Sequence, residues 1–129
     1  MMRKKISSGS PWEDKVGYSR AIRVGNIIEV AGTTAMDGDE LIGKADVYTQ
    51  AVFIFKKIEK ALAEAGATLN DVVRTRMFVV DISKWEEAGK AHAEFFKNIK
   101  PVATMVEVTR LINDDLLIEI EVTAILDND

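Results

Sequence analysis

Carboxylates stand inside apolar strand sequence in the last quarter of this chain. Glu119 and Glu121 lie two residues apart in a run of Leu, Ile and Val, and Glu107 lies in a similar segment upstream. Alternate residues of a β-strand share one face, so Glu119 and Glu121 point to the same side of a sheet. Like charges there raise the pKa of one of the pair, and a carboxylate withdrawn from water needs a partner, a hydrogen bond or a proton. We therefore expect these acids to face solvent, a pocket or a neighbouring subunit.

One histidine and two arginines are further ionisable groups that could take part in chemistry. Arg74 and Arg76 share a strand face beside Phe78, where they either bind a ligand or pair with the strand glutamates. His92, the single histidine, falls on the apolar stripe of a predicted helix. It is either a hydrogen-bonded residue of the core or an interface, or an acid/base group near a pocket. Gly89, one turn earlier, costs a helix up to about 1 kcal/mol relative to alanine and would widen a cleft there.

Composition excludes several kinds of site. The 129 residues suffice for one domain, and they include no cysteine and one histidine, so we expect no disulfide, no thiol nucleophile and no metal centre. The GxGxxG and P-loop motifs of nucleotide phosphate sites are absent. A net charge of −4 with only short basic clusters argues against binding to nucleic acid. Without a bilayer-length apolar run or a recognisable secretory signal, we expect a cytoplasmic protein that does not bind membranes.

The periodicity of apolar residues predicts an extended N-terminal arm at residues 1–15 and one domain at residues 16–129. A helix is predicted at residues 46–65, because apolar side chains recur there at spacings of three and four and Gly66 can end it. Ser83 and Glu86 fit a capping box that begins a second helix, which Pro101 ends. The predicted strands are residues 18–24, 27–32, 72–80, 103–110 and 116–125, with turns at 25–26 and 113–115 and a short edge strand at 40–42 as an option.

This order of elements predicts a two-layer α+β fold, a mixed sheet with both helices on one face. The other face of the sheet carries both apolar and charged residues, so it needs cover. Burial against identical subunits would provide that cover, and clefts between subunits would then hold the unusual charges.

Several short motifs follow one another in a characteristic order. Segments 17–19, 24–26 and 30–32 (GYS, VGN and VAG) precede a helix at 50–66 and the strand motif DVVRTRMFVVD at 71–81. Phe95-Phe96, Pro101 and the motifs VEV and IEIE then follow. Over roughly residues 16–125 these motifs resemble the RidA/YjgF family of reactive intermediate deaminases, including its strand pattern D-[IV]-V-K-T-x-x-[FY]-[VL]-x-D and its C-terminal signature.

This resemblance implies a chorismate-mutase-like α+β fold and a homotrimer with three small-molecule pockets in the clefts between subunits. The well-studied branch of the family hydrolyses enamines and imines, such as 2-aminoacrylate, to ketoacids and ammonia without a cofactor. That chemistry needs a guanidinium to hold the substrate carboxylate and a carboxyl group to activate the attacking water. The resemblance implies that Glu119 is this catalytic carboxyl and that Tyr18 lies at the pocket lip. Each could instead be an ordinary strand residue, Glu119 in a structural ion pair and Tyr18 as a packing aromatic.

The chain departs from the deaminase pattern at the substrate clamp. Ala103, in PVATMVEV, stands where the deaminase branch has arginine, which removes a charge-assisted bond worth about 1.5–3 kcal/mol. Met105, Ala31 and Gly89 stand where that branch has cysteine, serine and asparagine. Arg76 either replaces the clamp from another strand or pairs with a glutamate, and Met105 either lines the pocket or packs a strand. The predicted substrate-binding residues are Tyr18, Ala31, Arg76, Gly89, Ala103, Thr104 and Met105.

Two functions remain open from the sequence. The first is a cofactor-free enamine or imine deaminase whose inter-subunit pockets use Glu119. The alternative is a non-catalytic trimer that binds a small metabolite or docks a partner protein, which the alanine at position 103 favours. RNA cleavage, a third activity attached to the family, is disfavoured by the acidic composition, with a pI of about 5.1.

Overall fold

Eight strands and three helices occur within residues 2–127, the part of the chain that this computed structural model describes. Their bounds place every predicted site residue on or next to an element of regular structure. The strands are β1 (Arg3–Ile6), β2 (Ala21–Val24), β3 (Ile27–Thr33), β4 (Met36–Asp37), β5 (Glu40–Leu41), β6 (Val72–Val79), β7 (Val102–Glu107) and β8 (Ile118–Ile125), and the helices are α1 (Pro11–Val16), α2 (Val47–Glu64) and α3 (Trp85–Phe96).

Six of these strands form one mixed sheet in the order β1-β2-β3-β8-β6-β7, and β4 and β5 form a separate hairpin. β6 and β7 run parallel, while the other neighbouring pairs in the sheet are antiparallel. A parallel pair needs a crossover connection, and α3 supplies it. The predicted turn at residues 25–26 is confirmed, because it joins β2 to β3 as a two-residue hairpin.

Both long helices cover one face of the sheet, as the two-layer prediction requires. The predicted helix at residues 46–65 is confirmed as α2, in which Ile54, Phe55 and Ile58 are fully buried. Phe55 packs edge-on against Phe96 of α3, with ring centroids 5.4 Å apart. Gly66 follows the helix with φ = 90°, a left-handed conformation that glycine adopts at little cost. The fold is therefore α+β, with the core between the two helices and the sheet.

The residues predicted as an extended N-terminal arm contain regular structure. Residues 3–6 are extended, but they pair with β2 as the edge strand β1, and residues 11–16 form α1. Glu13 of α1 is buried and accepts hydrogen bonds from the hydroxyl of Ser7 at 2.9 Å and from the hydroxyl of Ser8. A four-residue edge strand and a six-residue helix are too short to produce a visible apolar period, which explains why the sequence predicted an arm.

The predicted capping box at the start of the second helix is wrong. α3 begins after Lys84, which makes no side-chain capping bond. The hydroxyl of Ser83 instead donates to Asp81 at 2.6 Å, within a 3₁₀ turn that precedes the helix. α3 also ends at Phe96, earlier than the proline-based prediction, and Lys100 before Pro101 has φ = 54°.

The two C-terminal strands are shorter than predicted, because each extends only as far as its partner β6. β7 has β6 as its partner, and it ends at Glu107, in register with Val79, the last residue of β6. β8 begins at Ile118, which is also opposite Val79. The predicted turn at residues 113–115 is confirmed, because the backbone N–H of Asp115 donates to the side chain of Asn113 at 2.8 Å.

The sheet face opposite α2 and α3, here called the open face, carries the charged strand residues. Val73 also lies on this face, because a bulge between Val72 and Arg74 shifts the register. Exposed apolar side chains lie on the same face, including Ile27 of β3 at 46% and Val102 of β7 at 58% exposure. A face that mixes exposed apolar and charged side chains in this way is typical of protein interfaces. Other members of the open face are Glu29, Arg76, Phe78, Glu119 and Glu121.

Candidate functional site

Glu119 is a half-buried carboxylate on the open face. Its neighbours Ile118 and Ile120 are buried against the helices, so strand alternation turns Glu119 to the other side. Phe78 of β6 lies directly opposite it in register. On the other flank, a Cβ atom at Gly32 of β3 would overlap Oε2 of Glu119 and lie 3.1 Å from its carboxyl carbon. Glu119 therefore packs against bare backbone on one side and an aromatic ring on the other.

The electrostatic surroundings of Glu119 favour its neutral form. Burial raises the pKa of this carboxyl, the guanidinium of Arg20 lowers it, and the carboxylate of Glu121 raises it, with a net rise above the ordinary value. A raised pKa in a partly buried acid is a common property of functional carboxyls. Glu119 takes part in no ion pair within residues 2–127, where the ion pairs join Arg20 to Glu13, Arg76 to Glu121 and Lys84 to Glu87.

Arg20 is the residue of this region that the sequence reasoning missed. It is only 9% exposed. Its Nη1 donates to the carbonyl of Gly32 at 2.7 Å and to the hydroxyl of Thr33 at 3.0 Å, and its Nη2 lies 3.4 Å from the hydroxyl of Tyr18. Strand periodicity could not have found it, because Arg20 lies just before β2 (Ala21–Val24) and not within the strand.

Tyr18 lies at the rim of an open cavity of about 520 Å³ on the open face. The ring is 38% exposed, with its centroid 5.6 Å from the guanidinium carbon of Arg20. Ala31 and Glu121 line this cavity, whereas Glu119 does not. The charged groups in the wall are Lys5, Glu29, Arg76 and Glu121.

Arg76 forms an ion pair rather than a free clamp. Its Nη1 lies 3.6 Å from Oε1 of Glu121, and the two side chains are 41% and 36% exposed. Cross-strand register places them directly opposite each other. The sequence allowed Arg76 either to bind a ligand or to pair with a strand glutamate. The observed geometry is that of the pair. An exposed pair of this kind contributes about 0–1 kcal/mol, so Arg76 could exchange its partner for a ligand at little cost.

The β7 residues of the predicted binding set divide between the two sheet faces. Register places Thr104 beside Arg76 on the open face, and Ala103 and Met105 beside residues of the helix-covered face. Ala103 is exposed at the edge of the sheet, whereas Met105 packs against the core, as its packing interpretation requires. Gly89 of α3 also lies on the helix side. Within one chain the sheet therefore separates Ala103 and Gly89 from Glu119.

His92 makes the single hydrogen bond expected of a core or interface histidine. Its Nε2 lies 2.9 Å from the hydroxyl of Thr75, a fully buried residue of β6. The ring is half-buried and packs against Phe55 and Phe96. Burial lowers the pKa of His92, so the imidazole is neutral at physiological pH. Its partner and packing place it on the face of the sheet opposite Glu119.

Gly89→Ala is expected to raise the free energy of unfolding by about 0.5–1 kcal/mol, because glycine inside a helix is less favourable than alanine. A Cβ atom there would meet no heavy atom within 4 Å, so no clash opposes the gain. Urea denaturation of wild type and variant measures the difference. An equal or lower free energy for the variant would contradict an open environment at Gly89.

The side chains and helices of residues 2–127 also bear on two other features, a membrane-spanning helix and a metal site. None of the helices in this range has both the length and the apolar character needed to cross a bilayer. No group of three or more His, Asp or Glu side chains within the same range is placed to hold a metal ion.

Comparisons with known proteins agree with this fold. The family model described as "Endoribonuclease L-PSP" matches residues 11–126. An uncharacterized protein of Streptomyces coelicolor, SCO2049, is 38% identical over 121 residues, covering 94% of this chain and 90% of its own. A RutC family protein of Pyrococcus abyssi is 39% identical over 109 residues, covering 83% of this chain and 84% of its own.

Solved structures show the same likeness. The crystal structure of Rv2704 from Mycobacterium tuberculosis, described as a member of the YjgF/YER057c/UK114 family, is 50% identical, covers 97% of this chain and 100% of its own, and has a TM-score of 0.88. A Rid family protein of Yersinia pestis, YyfA, is 28% identical at a TM-score of 0.86, covering 97% of this chain and 100% of its own. The fold and motifs thus define a protein of the YjgF structural class. The chain belongs to the RidA/YjgF family, the family of the matching L-PSP model.

Proposed function

We propose that this protein hydrolyses enamines or imines to a carbonyl compound and ammonia, without a cofactor, in pockets between the subunits of a homotrimer. The observation that carries the proposal is Glu119, a half-buried carboxyl with a raised pKa beside a buried arginine. A carboxylate of raised pKa is a stronger base than an ordinary carboxylate, so it accepts a proton from water more readily. The family resemblance supplies the reaction class.

Association of subunits would complete the pocket. The open face leaves apolar and charged side chains uncovered, and a face of this kind needs a partner surface. In one chain, Ala103 and Gly89 lie across the sheet from Glu119, so the predicted binding residues can line a common pocket only if they come from two chains. The homotrimer that is typical of the family would bring the β7 edge of one subunit to the open face of the next.

In the proposed reaction, Glu119 removes a proton from a water molecule as the water oxygen bonds to the imine carbon. The C=N π electrons move to nitrogen, which takes up the proton. The carbinolamine then collapses: Glu119 carries the hydroxyl proton to the amine nitrogen, the O–H electrons form the C=O bond, the C–N bond breaks, and ammonia leaves the carbonyl product. The Tyr18 hydroxyl at the pocket rim orients the substrate, and the partly apolar pocket holds water and imine together.

The preferred substrate lacks a carboxylate or bonds it weakly. Ala103 has no charge to offer, and Arg76 is already paired with Glu121 at 3.6 Å. Losing a charge-assisted bond of about 1.5–3 kcal/mol weakens affinity roughly ten- to a hundred-fold. The missing arginine therefore weakens the binding of 2-aminoacrylate more than it weakens the binding of imines without a carboxylate.

The test compares substrates of both kinds. Ammonia release would be measured from enzymatically generated 2-aminoacrylate and from branched imines with and without a carboxylate, alongside spontaneous hydrolysis in buffer. Faster release with the protein supports the proposal, and sedimentation equilibrium should give three times the chain mass. Ligands that shift the thermal unfolding midpoint while no substrate is turned over would instead support a metabolite-binding trimer, which the alanine at position 103 favours.

Ala103→Arg is expected to lower KM for 2-aminoacrylate by about 10- to 100-fold, because it adds a carboxylate-binding guanidinium. Position 103 is exposed on the edge strand, so the longer side chain does not disturb the core. Steady-state kinetics with 2-aminoacrylate and with a carboxylate-free imine measure the change, and Ala103→Gln controls for side-chain length. Equal gains on both substrates, or from both variants, would contradict a role for charge.

A further inference from the structure

Arg20 is a buried cation that the proposed reaction does not use. Its side chain has two acceptors on β3, the carbonyl of Gly32 at 2.7 Å and the hydroxyl of Thr33 at 3.0 Å. Its Nε is buried without a hydrogen-bond partner within residues 2–127. A buried guanidinium is costly unless it is paired, and its ion-pair partner within this range is Glu13, whose Oε2 lies 3.8 Å from Nε, beyond hydrogen-bonding distance.

The acceptors of Arg20 form the part of β3 that contacts Glu119. Register between β3 and β8 shifts between Val30 and Thr33, and this irregular stretch contains Gly32, whose missing Cβ leaves room for the Glu119 carboxylate. The Thr33 hydroxyl also donates to the carbonyl of Ala31 at 2.8 Å. The Arg20 guanidinium thus holds the Gly32–Thr33 end of the bulge, the Arg20 carbonyl accepts from the backbone N–H of Ala31 at 2.9 Å, and the bulge forms one wall around Glu119.

We propose that Arg20 is a positioning residue for Glu119: its guanidinium fixes the Gly32–Thr33 backbone against which the carboxylate packs, and its charge favours the ionised carboxylate that accepts a proton from water. The kinetic consequence rests on the proposed function, whereas the effect on the ionisation of Glu119 does not. In this chain the cation needed beside the proposed catalytic carboxyl comes from the residue before β2, not from β7.

The charged groups around Glu119 act in opposite directions. Arg20 lowers its pKa, and Glu121, two residues further on β8, raises it. Arg76 of β6 lies 3.6 Å from Glu121 and offsets part of that carboxylate's charge. Tyr18, whose hydroxyl lies 3.4 Å from Arg20, adds a neutral dipole. Arg20 is therefore the cation whose removal should change the ionisation of Glu119 most.

Two groups surround Arg20 on its other sides. Glu13 of α1 lies 3.8 Å from its Nε and offsets part of its charge. Lys57 of α2 donates to backbone carbonyls of Thr34 and Met36 at 3.1 and 2.8 Å, and burial, followed by the charge of Arg20, lowers the pKa of Lys57. Neither of these two groups is among those that shift the pKa of Glu119.

The test measures the pKa of Glu119 directly by carboxyl ¹³C NMR titration of the full-length protein. Arg20→Gln is expected to raise this pKa, because it removes the favourable charge. Arg20→Lys, which keeps the charge but cannot hold two acceptors in a fork, is expected to leave the pKa nearly unchanged. Lys60→Gln on the exposed side of α2 removes the same charge at a distance and controls for net charge. An unchanged pKa in Arg20→Gln would overturn the proposal.

Kinetics add a second readout. The acid limb of kcat/KM for imine hydrolysis should move to higher pH in Arg20→Gln by the same interval as the NMR pKa. Arg20→Lys should lower kcat/KM above that limb without moving it, because the bulge is held less firmly. A shifted NMR pKa in a protein without turnover would sustain this inference and refute the proposed function. A limb that shifts while the pKa does not would refute the inference.

Folding of the variants is checked by circular dichroism. Where Arg20→Gln does not fold because Glu13 is left buried without its cation, the double variant Arg20→Gln/Glu13→Gln supplies the measurement, since it removes both members of the 3.8 Å pair. The pKa of Glu119 should still rise, because Arg20 and not Glu13 is among the groups that shift it. A constant pKa in that variant would overturn the proposal equally.

Discussion

Glu119→Gln is expected to lower kcat/KM for imine hydrolysis by about 10²- to 10⁴-fold, the usual contribution of a general base. Glutamine preserves the size of the side chain and its contacts with Gly32 and Phe78, but it cannot accept the proton from water. The measurement is ammonia release under kcat/KM conditions, across a pH series that covers the raised pKa of Glu119. Wild-type activity should fall as pH drops through that pKa, because protonation removes the base.

The matched control is Glu121→Gln, the same chemical change two residues further on the same face. Glu121 pairs with Arg76 and lies in the cavity wall, so a several-fold change in the KM of the Glu121→Gln variant is compatible with the prediction. Because Glu121 raises the pKa of Glu119, the control should move the acid limb to lower pH while kcat above the limb stays near wild type. Equal losses of kcat in the two variants would remove Glu119 from its catalytic role.

Stability should respond in the opposite direction to activity. The pKa of Glu119 is raised in the folded protein, so the folded state favours the protonated carboxyl. That favourable contribution is complete below the unfolded pKa of about 4.3, and it is lost as the pH rises through the higher folded pKa. At neutral pH, an ionised Glu119 therefore opposes folding, and Glu119→Gln should unfold in urea at the same or a higher free energy than wild type. Gain of stability with loss of activity is the behaviour of a strained functional group.

The elements that sequence predicted well are those with strong periodicity. α2 has apolar residues at helical spacing and glycine directly after its C-cap, so local pattern and tertiary burial agree. β8 alternates buried and partly exposed residues along its whole length, which is why Glu119 and Glu121 could be assigned to one face. These two elements carry Glu119 and much of the core.

The features that sequence missed depend on contacts between distant segments. Arg20 acquires its role only because β3 bulges beside it, and a bulge is a property of strand register that periodicity does not reveal. The ends of β7 and β8 follow from where β6 ends, not from their own residues. Ser83 had the residue type and spacing for a capping box, yet it lies within a 3₁₀ turn capped by Asp81, to which its hydroxyl donates, and α3 begins only after Lys84.

The division of the predicted binding set is also a tertiary result. Ala103 and Thr104 are neighbours in the sequence, but the sequence does not reveal that β7 is an edge strand parallel to β6. That arrangement turns Ala103 toward the helix side and Thr104 toward the open face. The sheet therefore keeps Ala103 apart from Glu119 in one chain, and the prediction of an inter-subunit pocket depends on the assembly.

Gly32→Ala is expected to lower kcat/KM by about 10²-fold while leaving the fold intact, since a displacement of about 1 Å at a reacting group can have that effect. A Cβ atom at Gly32 would overlap Oε2 of Glu119 and lie 3.4 Å from its Cγ. The clash falls on the end of a flexible side chain, and Gly32 is not among the glycines with positive φ. The backbone therefore accepts alanine, and the carboxylate must move.

A double-mutant cycle with Glu119→Ala isolates this effect. Alanine at position 119 has no carboxylate to displace, so adding Gly32→Ala to that variant should cause no further loss of kcat/KM, whereas it costs about 10²-fold in the wild-type background. Urea denaturation should give unfolding free energies for wild type and Gly32→Ala that differ by less than about 1 kcal/mol, because replacing glycine with alanine in a strand changes little else. Equal losses in both backgrounds would mean that the new methyl group acts on something other than Glu119. A loss confined to the wild-type background would show that the position of this one carboxylate, held by bare backbone at Gly32, limits the reaction.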